Sequence, residues 1–148
     1  MDFNTDDSSD YSGFASEASS IFVTNLALDA INNNLFFATK WTSRNIQFAL
    51  MSVLVRSETG LDMHQNSDRF FYVTQGSGLV TMGNWQECLN FQALVHTGFG
   101  IFIPAGAWYN VVNVGQVDLK MVTVYAPTFH SYNTTYTTKE EWLSHHEP

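Results

Sequence analysis

The stretch GLDMHQNSDRFFYVTQGSG, residues 60–78, sets a carboxylate at Asp62 and an imidazole at His64 with one residue between them. Along an extended chain side chains alternate with period two, so the two groups point to the same side. Together they suit a borderline or hard divalent ion such as Mn, Fe, Ni or Zn. Two ligands alone make a poor site, and Arg69 follows a few residues later. A guanidinium is always charged and donates five N–H groups while accepting none, so it cannot ligate a cation and it repels one. Were it held about 4 Å from the ion, at an effective dielectric near 20, the repulsion would be about 4 kcal/mol per unit charge, and about twice that for a divalent ion. His64 therefore belongs to a metal site, to the remnant of one, or to neither, and the stretch alone leaves all three open.

Other chemistry has less support. GSGLVTMG lacks the Lys-Ser/Thr pair of a phosphate-binding loop, and no Gly-x-Ser-x-Gly elbow exists for nucleophilic hydrolysis. Cys88 is the single cysteine, so an intrachain disulfide is impossible, which suits a reducing compartment. With Glu87 beside it and no basic neighbour, its thiol is expected to be buried and unreactive. His96 falls in an expected turn before Gly98, and His145 and His146 fall in a polar tail, so all three read as solvated.

The elements that must position these groups are mostly strands. From residue 34 onward, LFFATKW, IQFALMSVLV, RFFYVTQG, GLVTMG, FQALV, GIFIP, YNVVNVG and LKMVTVYAP are short, rich in aromatic and β-branched residues, and separated by turn residues. Eight dense strands of this kind predict an all-β sandwich or barrel, with a jelly roll as one way to hide sheet edges. Gly76 and Gly78 are expected to bracket a tight hairpin, and Pro104 with Gly106 to end a strand in a turn. IFVTNLALDAINNN fits a strand followed by a helical turn or two, and periodicity does not decide between strand and helix there. TTKEEWLSHHEP places Thr137 or Thr138 to cap a short helix starting at Lys139.

The chain has 148 residues, 45% of them hydrophobic, enough for one domain with a proper core. Of the net charge of −8, five negative charges come from Asp2, Asp6, Asp7, Asp10 and Glu17, in a stretch without Lys or Arg. Residues 1–20 read as a flexible acidic tail ahead of a domain at 21–148. Six Lys and Arg in all, scattered along the chain, argue against nucleic acid and against anionic membrane surfaces. No run approaches the roughly 20 apolar residues of a membrane span, and the acidic, polar start is unlike a secretory signal. A soluble, intracellular and cytoplasmic protein is the expectation. Its aromatic content of 15% exceeds what core filling needs and points to a subunit interface or a pocket mouth for some of Trp41, Trp85, Trp108 and Trp142.

At this point the spacing resembles the two short motifs of the cupins, a family of small jelly-roll β-barrels. The second motif reads Gly98, five residues, Pro104-Ala105-Gly106, two residues, Tyr109, three residues, Asn113, with tyrosine where the family carries histidine. The first runs from Asp62 and His64, for a His-x-His pair, through Arg69, for a Glu, to Gly76. NIQFALMSV, GLDMHQNSDRFFYV, IPAGAWYNVVNVG and LKMVTVYAPTFH further resemble single-domain cupins of the mannose-6-phosphate isomerase-like type. The resemblance implies that Asp62, His64, Arg69 and Tyr109 converge on the inner face where relatives hold a divalent metal, with His130 at a position that is also histidine in relatives. Arg69 would then fill the metal's place and pair with Asp62, because an uncompensated buried charge is costly.

Three functions compete on these residues. The first is a degenerate cupin acting as a non-catalytic binding or structural module, with no cofactor. The second is a metal-dependent isomerase- or oxygenase-like enzyme acting on a small polar or sugar-like molecule, with Asp62 and His64 as ligands. In the third, Arg69 holds the carboxylate or phosphate of a small anionic ligand. The resemblance also implies self-association, as a homodimer or within a larger assembly, with residues 21–33 as an exchanged strand.

Overall fold

The computed structural model describes residues 21–145. The expected acidic tail at 1–20 and the residues from His146 onward lie outside the described residues. Segments rich in aromatic and β-branched residues form most of the ten strands among the described residues: β1 Phe37–Thr42, β2 Gln47–Val53, β3 Asp62–Met63, β4 Asp68–Gln75, β5 Ser77–Gly83, β6 Phe91–His96, β7 Gly100–Ile103, β8 Trp108–Asn113, β9 Leu119–Ala126 and β10 Thr135–Tyr136. Two helices flank them, α1 Leu26–Asn32 and α2 Lys139–His145. The eight expected strands all form, and the additions, β3 and β10, are two residues each, too short to show a period.

The strands form a jelly-roll β-sandwich. One sheet has the order β10-β1-β2-β9-β4-β7 and the other β3-β8-β5-β6. Inward residues from both, among them Phe37, Met51, Val53, Phe71, Val73, Val80, Val111, Leu119 and Met121, form one buried core. Among the described residues no helix is long and apolar enough to cross a membrane.

The expected hairpin at Gly76 is instead a corner. β4 and β5 belong to different sheets and do not pair, and Gly76 turns the chain between them at a φ of 96°. A Cβ there would stand 3.1 Å from the Asp118 carbonyl oxygen and 3.2 Å from the Leu119 Cα, against backbone that cannot step aside. Gly76→Ala is expected to cost about 1–3 kcal/mol in chemical denaturation, through positive φ and this contact together.

Helix α2 starts where the sequence places it. Thr138 Oγ1 accepts from the Glu141 N–H at 3.1 Å, while Glu141 reaches back to the Thr137 N–H at 2.9 Å. The helix thereby delivers Trp142 into a cluster with Phe36, Phe37, His130 and Tyr136.

Residues 21–33 are corrected: they hold no strand. Asn25 caps α1 by accepting from the Leu28 N–H at 3.1 Å, and the helix lays Ala30 against Leu50 and Val122 on the outer face of its own six-stranded sheet. Asn25 at the cap and the apolar residues Leu26 and Ala30, four apart, favour a helix over a strand.

Candidate functional site

Asp62 and Tyr109 sit directly opposite each other on the β3–β8 ladder, which turns both side chains to the same face. Arg69 lies opposite Tyr125 on the β4–β9 ladder of the other sheet. The four expected site residues therefore meet across the sandwich, with Arg69 and Tyr109 coming from facing sheets. Two backbone bonds lock the motifs together. The Gly106 N–H donates to the His64 carbonyl oxygen at 2.8 Å, and the Ala105 N–H donates to Asp68 Oδ1 at 2.8 Å, fixing the Pro-Ala-Gly turn against the first motif. Asn113 ends the second motif by donating to the Val53 and Val117 carbonyl oxygens, which ties the two sheets.

Arg69 is 3% exposed and points inward. Its Nη1 donates to the Tyr109 hydroxyl, its Nε to Thr123 Oγ1 at 3.0 Å and its Nη2 to the Met51 sulfur at 3.3 Å. The guanidinium carbon stands 4.4 Å from the ring centres of both Phe71 and Tyr125 and 5.5 Å from that of Tyr109, so aromatic faces stabilise the charge. The expected direct pair with Asp62 gives way to this arrangement. Asp62 Oδ2 lies instead 3.6 Å from His64 Nε2, and the carboxylate acts on Arg69 through its charge. Burial works to lower the Arg69 pKa, and the Tyr109 and Tyr125 phenols with Asp62 outweigh it, so the pKa lies above its ordinary value.

Both phenols ionise above their ordinary value. Burial is the main cause for Tyr109, opposed by Arg69 and helped by Asp62; Tyr125 is also raised chiefly by burial and opposed by Arg69. The folded pKa exceeds the unfolded one, so the folded state holds its protons longer; stability is intact below pH 10.0 and falls as pH rises above it. Each phenol contributes a slope of about 1.4 kcal/mol per pH unit. Denaturant titrations on either side of that pH are expected to show the slope, and Tyr109→Phe to flatten it.

This donor set does not fit a divalent metal. Tyr109 is a neutral phenol at ordinary pH, and a fixed cation stands at the third ligand position. Among the described residues no group of three or more His, Cys, Asp and Glu side chains converges. Asp62 and His64 are close enough to share an ion, but the Arg69 charge stands against it.

The pattern that defines the cupin domain matches residues 49–125. The chain is a cupin. Among its relatives, the uncharacterized protein YrkC of Bacillus subtilis is 39% identical over 81% of this chain, and the chain spans 64% of that protein's length. An uncharacterized protein of Acanthamoeba polyphaga mimivirus is 25% identical over 78% of this chain and 71% of its own length. A crystal structure of a Bacillus halodurans protein superposes with a TM-score of 0.84 at 38% identity, covering 85% of this chain and 96% of that one.

Thr123, Met51, Tyr125 and Phe71 also belong to the centre of the cupin, although only the motif residues stood out in the sequence. A threonine among the inward positions Leu119, Met121, Thr123 and Tyr125 of β9 is a signal that period two could have exposed. His130 is buried beside them, its Nε2 3.3 Å from the Tyr125 hydroxyl and its backbone clamped by Gln47. Cys88 is corrected: it is exposed, because the tip of the β5–β6 hairpin that carries it projects away from the core.

Proposed function

We propose that this cupin is a non-catalytic binding or structural module that self-associates, with its barrel as a rigid scaffold. The observation that carries the reading is the Arg69 guanidinium, inserted between Phe71 and Tyr125 and hydrogen-bonded to Tyr109, Thr123 and Met51. A cation held in place by five partners of the same chain leaves no centre for Lewis-acid chemistry at that focus. Elemental analysis after incubation with Mn, Fe, Ni and Zn tests it: substoichiometric metal is expected, and about one tightly retained ion per chain would end the reading.

The convergence of Asp62 with His64 supports a second reading, a metal-dependent isomerase- or oxygenase-like enzyme acting on a small polar or sugar-like molecule. The Asp62 side chain is 22% exposed, so that edge of the site reaches solvent. Retained metal that is lost in His64→Ala would favour this enzyme over the scaffold.

A further inference from the structure

Four strands stand at sheet edges, and three are blunted by their length: β3 and β10 have two residues each and β7 four. β6 is the exception. It has six residues, pairs with β5 without a bulge from Ser77↔His96 to Met82↔Phe91, and contains no Lys, Arg, Asp, Glu or Pro. These are the devices that keep an open edge from pairing with another chain, and β6 has none of them. Among the described residues no strand lies on its outer side.

The surface around this edge is apolar and free of charge. Phe91 is 54%, Leu94 70% and Phe102 74% exposed, and a cavity of about 290 Å³ lies between β6 and β7. Between Arg69 and Asp118 the sequence carries one formal charge, Glu87, although the whole chain is at −8. Two copies meeting on this face therefore bring no like charges together.

We propose that β6 pairs antiparallel with β6 of a second copy, joining the two four-stranded sheets into one of eight strands. A strand paired with itself about a two-fold axis uses up both open edges, so the assembly closes at the dimer and does not grow. The unpaired N–H and C=O groups of the edge then gain partners. The proposal rests on the self-association read above and names its surface.

Light scattering on the full chain and on Gln92→Lys/Leu94→Lys tests it, since both positions are exposed and lysine is what natural edges use against pairing. The full chain is expected at twice the chain mass and the variant at one, with unchanged far-ultraviolet circular dichroism. A variant that stays dimeric overturns the β6 surface and leaves self-association standing; a full chain that is monomeric overturns both. If the variant does not fold, hydrogen exchange on the full chain decides. A paired β6 protects every amide of residues 91–96, whereas protection at alternate residues alone marks a bare edge and overturns the proposal.

Discussion

Arg69→Ala is expected to lower stability by about 3–5 kcal/mol in denaturant unfolding, the range for removing one member of a buried polar set and leaving a hole. Two effects add. The cavity opens between Phe71 and Tyr125, which now pack on the guanidinium, and the Tyr109 and Thr123 hydroxyls lose their donor in a place water does not reach. Arg69→Met with Tyr109→Phe removes both ends of the strongest contact at nearly constant volume, and is expected to cost only about 1–2 kcal/mol. A loss below about 1 kcal/mol for Arg69→Ala would mean that the side chain does not occupy the interior.

Reversing two of the three departures from the family motif, Arg69 and Tyr109, is expected to have the other large effect, a gain of metal. Arg69→Glu with Tyr109→His replaces a fixed cation and a neutral phenol by a carboxylate and an imidazole, which with Asp62 and His64 make four donors suited to Zn, Ni, Fe or Mn. Removing the guanidinium alone lifts a repulsion of about 8 kcal/mol on a divalent ion at about 4 Å. About one ion per chain is therefore expected after dialysis, with metal-dependent thermal stabilisation, where the unaltered chain keeps little. Equal metal content in the two proteins would show that Arg69 is not what excludes the ion.

Much of the fold was legible because its signals are local. The alternation in RFFYVTQG and LKMVTVYAP, the glycines and proline at turns, and the Thr138 cap ahead of Lys139 each act within a few residues, and each element formed within two residues of its expected place. Gly76 shows the limit. The sequence demands a residue free to take positive φ there, but a hairpin and a corner between sheets need the same freedom, and only pairing partners distant in sequence tell them apart. IFVTNLALDAINNN was ambiguous for a related reason: its helix is short, and what holds it is the sheet surface at Leu50 and Val122. Cys88 was misjudged because burial of a small apolar thiol depends on where a hairpin tip projects, which composition does not encode.

The sequence by itself determined the strand segments, the family, and the presence of a cation and a phenol at two ligand positions, since each is a matter of residue type and spacing along one chain. Only the tertiary structure decided how the Arg69 charge is accommodated. Its partners Met51, Thr123, Tyr125 and Tyr109 come from β2, β9 and β8, and which of them meet depends on the sheet each strand joins. Alternation dictates that a side chain faces inward; what it finds there is set by strands tens of residues away.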